Sequence, residues 1–220
     1  MKHYTVDLSR EWDHENGFYL TCETSRIGKF INHLEIYQRI AGVPGDVFEF
    51  GVYKGASLVR LLSFRDLLEG PQARRVVGFD AFGKFPGTFE LESDQAFVQR
   101  FEEAGGHGIS EEELVMLFDR KGFTHYELVK GDIMRTLPAF IAKEPDVRIA
   151  LLHIDVDVYA PTKAILETLW HRMAPGGVLM LDDYGTVDGE TKAVDEFFAD
   201  QGVTIHRPRF NRIPSYIIKA

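Results

Sequence analysis

One cysteine, Cys22, stands in 220 residues, so no disulfide can close within the chain. No apolar run approaches the roughly 18 residues that mark a membrane span, and no signal peptide is recognisable. Basic residues are in the minority. The 25 Lys and Arg face 34 Asp and Glu, a net charge of −9, which argues against nucleic acid or an anionic membrane as the main partner. A soluble, cytoplasmic protein is expected. Two nucleotide motifs are also missing. In Gly51-Val52-Tyr53-Lys54-Gly55, Tyr53 stands where Gly-x-Gly-x-x-Gly needs its second glycine, and no Gly-Lys-Ser/Thr follows. Glu49, just ahead of the loop, would repel a phosphate. Repeats, low-complexity tracts and Pro/Ser-rich linkers are absent. Apolar residues make up 45% of the chain, enough for a real core. The expected organisation is one domain over 1–220: a cap segment and helix over 1–42, then a core over 43–220 with a helical insertion at 86–128.

What is present centres on Ala150 to Gly185. Arg148 to Ile154 is a nearly continuous apolar run, the mark of a strand buried on both faces, and it ends in Asp155-Val156-Asp157. Pro161 suits the first turn of a helix whose stripe is Ile165, Leu166 and Leu169, stopped by Ala-Pro-Gly-Gly at 174–177. A second apolar run, Val178 to Leu181, ends in Asp182-Asp183. A right-handed parallel crossover puts both strand ends on one edge of the sheet, where open parallel sheets bind ligands. Four carboxylates then converge, and a cation or a shared proton would relieve their repulsion. The plainer alternative is that Asp155 and Asp183 cap the helices that follow, which leaves the second acid of each pair unexplained. His153 lies on the same strand face as Asp155; it reads as a packed, hydrogen-bonded core residue or as a group acting beside the ligand.

The rest of the chain supplies the frame. Residues 1–22 read as irregular, with Trp12, Phe18 and Tyr19 as anchors, and 25–41 as a helix with apolar residues at spacings of three and four. That helix either packs on the core or brings Arg26 or Lys29 to an anion at the pocket. Asp46 to Phe50 is a first strand, feeding the glycine loop and a helix from Ala56 to Leu68. Such a loop lets a small molecule approach the backbone. Val76 to Phe79 is a second strand, and Asp80 at its end is near the place that holds ribose hydroxyls in nucleoside-binding folds. Loop and acid together suggest an adenosine-containing ligand without a pyrophosphate, which S-adenosylmethionine fits. Ser93 to Ala104 and Ser110 to Lys121 are expected helices joined by Gly105-Gly106-His107-Gly108, as a lid or as an enlarged covering helix. Tyr126 to Val129 is a third strand; Asp132 beyond it bonds an adenine amino group or caps the next turn. The helix 189–200 is expected to turn its acids outward. Val203 to Arg209 and Ile213 to Lys219 read as a closing hairpin with a basic rim of Arg207, Arg209 and Arg212.

Several ordered blocks resemble the macrocin-type O-methyltransferases, a family acting on sugars of antibiotics and on nucleotide-linked deoxysugars. They are PGDVFEFGVYKGAS (44–57), GFDAFGKFPG (78–87), KGDIMRTLP (130–138), LLHIDVDVYAPT (151–162), and APGGVLMLDDYG with AVDEFF (174–198). The nearest flavour is the small deoxysugar 3-O-methyltransferase subgroup. The resemblance implies a class I S-adenosylmethionine-dependent methyltransferase fold: α/β and Rossmann-like, with a seven-stranded, mostly parallel sheet, its last strand antiparallel and helices on both faces. It implies that Glu49, Gly51, Val52, Gly55 and Ser57 lie along the methionine end of the donor, and that Asp80 binds the ribose with Phe82 beside it. It places Asp132 near the adenine. It implies that Asp155, Asp182 and Asp183 hold a divalent cation, magnesium first and manganese or calcium next, with Asp155 also beside the donor, and that Asp157 is the general base. The acceptor is then a sugar or glycoside, and the protein a dimer or larger homo-oligomer.

The chemistry explains the residue types. A sugar hydroxyl is a poor nucleophile at neutral pH. A hard cation on carboxylates lowers its pKa, and a neighbouring carboxylate removes the proton, a step typically worth about 10²–10⁴-fold. Which of Asp155 and Asp157 is the base stays open, because coupled carboxylates share protons. A methyltransferase for a non-sugar hydroxyl is the alternative acceptor reading. A nucleotide-cofactor oxidoreductase lacks its loop here, and a binding module without turnover does not need four acids.

Overall fold

The computed structural model describes residues 7–87 and 89–220. The chain opens with a 3-10 turn, Leu8–Arg10, and α1, Glu11–Thr21; α2 follows over Thr24–Arg39. Alternation then begins: β1 (Asp46–Phe50), α3 (Ala56–Leu68), β2 (Val76–Asp80), α4 (Glu92–Gly105), α5 (Glu111–Lys121), β3 (Tyr126–Lys130) and α6 (Ile133–Lys143). It closes with β4 (Ile149–Ile154), α7 (Tyr159–Leu169), β5 (Met173–Leu181), α8 (Asp188–Phe198) and β6 (Ser215–Ile218). The sheet order is β3-β2-β1-β4-β5-β6, with only β5 and β6 antiparallel. The order reverses between β1 and β4, so the switch point lies between Gly51 and Asp155, where such sheets bind ligands. One apolar cluster packs α2, α3 and α5 on one face of the sheet, and a second packs α6, α7 and α8 on the other. β4 is buried along its whole length, as a doubly covered strand must be. Among the described residues, no helix is long and apolar enough to cross a membrane.

Three expectations are corrected. The sheet has six strands among the described residues rather than seven. Residues 203–209 pair only through the single bridge His206–Tyr216, because Pro208 has no N–H to extend a ladder. Within 1–22, expected to be irregular, residues 8–21 are helical, with Asp7 capping through Ser9; residues 1–6 lie outside the described residues. Their apolar side chains form no stripe, and Trp12, Phe18 and Tyr19 are exposed rather than anchored. Finally, Ala174–Gly177 do not stop α7. The helix already ends at Leu169, and these residues bulge out of β5, whose register to β4 jumps from Met173–Ile149 to Val178–Leu151.

Candidate active site

The switch point opens into a cavity of about 800 Å³ over the carboxyl edge of the sheet. Gly51 ends β1 with φ of 90°, and a Cβ there would stand 1.7 Å from the Asp155 carbonyl oxygen. Only glycine lets β1 and β4 run this close, so the loop and the acids are held together by the same contact. Asp80 sits beside them. Its Oδ2 accepts from the N–H groups of Val52 (2.7 Å) and Tyr53 (2.9 Å), and its Oδ1 from that of Phe82 (2.6 Å). Asp80 therefore fixes the glycine loop as well as facing the cavity, and burial raises its pKa despite the three donors.

The four acids converge as expected. Oxygens of Asp155, Asp157 and Asp183 lie within 4.8 Å of one another, as do ligand atoms of His153, Asp155 and Asp182. Neither group is the set Asp155, Asp182 and Asp183; Asp155 is common to both. None of the four carboxylates caps α7 or α8, whose N-caps are Val158 and Val187 without side-chain bonds. Instead Asp157 adopts φ of 63°, which turns it back over the edge. Capping is thus ruled out as the reason for the acids.

Two cations face them. Lys29 Nζ on α2 lies 2.5 Å from Asp182 Oδ2. His153 is fully buried; its Nδ1 meets Glu49 Oε1 at 2.9 Å, and its Nε2 stands 3.5 Å from Asp182 Oδ1. Burial opposes charge on His153, but the bonds to Asp182 and Glu49 win and push its pKa up to about 10. His33, edge-on to His153 at 5.6 Å, is driven the other way by burial and by His153 itself. Asp182 is buried, yet His153 and Lys29 hold its pKa below the usual carboxylate range. The remaining acids gain less from these cations than burial and like charge cost them. Burial and then Asp182 raise Asp155 well above its ordinary value; burial, Asp183 and Asp155 do the same to Asp157; burial and Asp182 raise Asp183. Lys29 and His153 are both spent on Asp182, and burial favours the protonated form of the other three acids.

Of the residues expected at the donor, Gly51, Val52, Ser57, Asp80, Asp132 and Asp155 line the cavity. Glu49, Gly55 and Phe82 do not: Glu49 is buried behind the loop against His153. Asp132 caps α6 by accepting from the Met134 N–H at 2.9 Å, and still lines the cavity. His153 is the packed, hydrogen-bonded residue. Lys29 does meet an anion, but one belonging to the protein. Arg207, Arg209 and Arg212 are exposed and away from the cavity. The expectation that α8 turns its acids outward fails at Glu190, which is fully buried and accepts from the Asp183 N–H at 3.0 Å. Sequence reasoning did not single out Arg60 on α3 as a cavity residue, and Phe97 and Phe101 lie on α4, within the stretch expected as a lid or an enlarged covering helix, without being picked out there.

A family model described as macrocin O-methyltransferase (TylF) matches residues 20–213. The chain belongs to this family. Among macrocin-type relatives, the 8-demethyl-8-(2,3-dimethoxy-alpha-L-rhamnosyl)-tetracenomycin-C 4'-O-methyltransferase of Streptomyces olivaceus is 32% identical over 171 residues, covering 74% of this chain and 61% of the relative. This chain therefore matches less than two thirds of that enzyme's length. Mycinamicin III 3''-O-methyltransferase of Micromonospora griseorubida is 28% identical over 200 residues, 84% of this chain and 74% of that protein. The apo structure of CalS11, a TDP-rhamnose 3'-O-methyltransferase in calicheamicin biosynthesis, superposes with a TM-score of 0.69 at 25% identity, covering 94% of this chain and 86% of that one. The fold is the class I methyltransferase fold implied by the motifs.

Proposed function

We propose that the protein transfers the methyl group of S-adenosylmethionine to a hydroxyl of a deoxysugar, whether carried by a natural product or linked to a nucleotide. The observation that carries this reading is the convergence of Asp155, Asp157, Asp182 and Asp183 on one cavity beside the glycine loop and Asp80. The relatives support the acceptor class: one is named for a rhamnosyl-tetracenomycin, one for a mycinamicin, one for TDP-rhamnose.

A divalent cation fits the acids. The donor set is hard carboxylate oxygen, Asp182 Oδ1 is buried with His153 Nε2 no nearer than 3.5 Å, and burial and then mutual repulsion raise the pKa values of Asp155, Asp157 and Asp183. Asp155, Asp182 and Asp183 would hold magnesium, manganese or calcium, which when bound supplies a positive charge that acidifies the acceptor hydroxyl. The donor, when bound, supplies a sulfonium methyl whose sulfur leaves neutral, so no acid is needed. The chain's own residues do the rest. Gly51 to Ser57 and Asp80 hold the adenosine and methionine parts, Oδ1 of Asp80 having accepted only one N–H and keeping room for a ribose hydroxyl. Asp157, with a raised affinity for protons, suits the base that takes the hydroxyl proton. Lys29 and His153 keep Asp182 ionised and in place. Phe97 and Phe101 on α4 roof the cavity and exclude water. The same reading treats 1–220 as one methyltransferase domain, 86–128 as its lid, and the assembly as a dimer or larger.

Calorimetric titration with S-adenosylmethionine, with magnesium and again with EDTA, tests this. Donor binding in both conditions is expected, together with loss of methyl transfer in Asp182→Asn/Asp183→Asn. No donor binding under either condition would remove the assignment of Gly51, Ser57 and Asp80, and the function with it.

A further inference from the structure

Arg26 and Arg60 are left over by the site as described. Both line the cavity, as does Ser57. Arg26 lies one turn before Lys29 on α2, and Arg60 one turn after Ser57 on α3, so the two helices bring them to the same wall. Lys29 is taken by Asp182. Among the described residues, neither guanidinium has a carboxylate within 4.0 Å. Arg60 is half-buried and is fixed in place: its guanidinium lies 5.9 Å over the ring of Phe30, which packs edge-on against Phe64 at 5.6 Å. Burial and the charge of Arg26 both lower the Arg60 pKa. A partly dehydrated guanidinium without an anion is costly, and a second one beside it makes it more so. Asp182, Glu49 and Asp155 attract Arg60 from further off but are engaged by Lys29, by His153 and by each other.

We propose that Arg26 and Arg60, with the Ser57 hydroxyl, form a carboxylate-binding subsite for the amino-acid end of the methyl donor. The inference rests on the donor assigned above. A carboxylate takes one guanidinium fork in a bidentate pair and keeps its two outer lone pairs for one N–H of a second arginine and a hydroxyl. The subsite adjoins Gly51 to Ser57, the loop that approaches the donor, and α3 starts there at Gly55 with no side chain capping its N–H groups. Glu49, the acid expected along this end of the donor, is buried and faces His153, so the amino-acid end needs another partner. A phosphate of a nucleotide-linked acceptor shares the chemistry, and the test separates the two.

The test compares S-adenosylmethionine with its decarboxylated analogue by calorimetry, on the wild type, Arg60→Gln, Arg26→Gln and Arg60→Lys. The wild type is expected to favour the carboxylated donor by about 10- to 100-fold. Arg60→Gln is expected to lose most of that preference while binding the decarboxylated analogue as before, with Arg26→Gln losing less and Arg60→Lys retaining part. Full preference in an Arg26→Gln/Arg60→Gln double variant with an unchanged circular dichroism spectrum and melting temperature would overturn the subsite. So would a double variant whose only loss is affinity for TDP-rhamnose, which would assign the arginines to an acceptor phosphate. If the wild type bound neither donor form, the donor reading itself would fall, a result distinct from a wild type that binds both forms equally.

Discussion

At the scale of single residues, Asp80 shows how one side chain serves fold and ligand together. In the sequence it is an acid at the end of a strand beside a glycine loop. The structure adds that three backbone N–H groups already point at it, from Val52, Tyr53 and Phe82. Removing the carboxylate leaves those donors unpaired at a buried position, at a cost of about 1–3 kcal/mol for each left without a substitute. Asp80→Ala is therefore expected to destabilise the ligand-free protein by about 2–4 kcal/mol, read as a drop in the urea midpoint with an unchanged m-value. An unchanged midpoint alongside lost donor affinity would mean that Asp80 acts on the ligand alone. The acid pairs at 155–157 and 182–183 were legible because two neighbouring acids at each of two strand ends exceed what capping explains. Lys29 was legible only as a cation seeking an anion. Its partner lies 153 residues away, and no local spacing links them. Glu190 was misread for a related reason: one acid in an otherwise outward-facing helix follows the stripe unless a buried N–H, here that of Asp183, claims it.

Elements locate the acids in space, and α4 and α8 do so at a single crossing. Asp94 of α4 is buried and its Oδ2 accepts from the Tyr159 N–H at 2.9 Å, so the helix caps α7 from outside. At the other end of α4, the Gly105 carbonyl accepts from the Tyr53 hydroxyl and from Lys54 Nζ, each at 2.6 Å. The roof of the cavity is thus tied to the first turn of α7 on one side and to the glycine loop on the other. Gly189 of α8 sits under the first of these ties. A Cβ there would stand 2.3 Å from Asp94 Oδ1, 2.8 Å from the Tyr159 nitrogen and 2.9 Å from the Asp157 carbonyl oxygen. Two of those atoms are backbone and cannot swing away. Gly189→Ala is expected to cost about 1–3 kcal/mol through overpacking, and to lower the rate of methyl transfer at saturating substrate by displacing Asp157. A variant with a lower melting temperature but wild-type turnover would show that Asp157 is not held from this side. Elements with a clean stripe or cap were readable beforehand. α5 begins where Ser110 accepts from the Glu113 N–H, and β4 is a nearly continuous apolar run. α1 was not readable, because its apolar residues share no face, and neither was the failure of 203–209 to form a strand, where β-forming residues compete with Pro208.

For the whole molecule, the site is a store of like charge inside a stable fold, and its sign fixes how stability responds to pH. Asp155, Asp157, Asp183 and Glu190 all bind protons more tightly folded than an unfolded carboxyl does, burial being the first cause in each. A group of this kind favours the folded state below its unfolded value, near 4, and the advantage is lost as pH climbs through the folded value. His153 acts in the same direction: its contribution is complete below about 6.5 and disappears as pH rises through about 10. Asp182 and His33 work oppositely: the share of Asp182 is lost only in strong acid, and that of His33 is lost as pH falls below about 6.5. Without metal, the melting temperature is therefore expected to rise as pH falls from 9 to 6, opposite to a protein whose carboxylates are all salt-bridged. A divalent cation competes with those protons for the same oxygens, so magnesium is expected to raise the melting temperature more at pH 8.5 than at pH 6. Scanning calorimetry across that range, with EDTA and with magnesium, reads both effects. A flat or inverted profile in EDTA would mean that the acids are neutralised by cations the chain itself supplies. Equal melting temperatures with and without magnesium at pH 8.5 would remove the metal from Asp155, Asp182 and Asp183, leaving the acceptor oxygen to cations of the chain that line the cavity, Lys29, Arg26 and Arg60 among them.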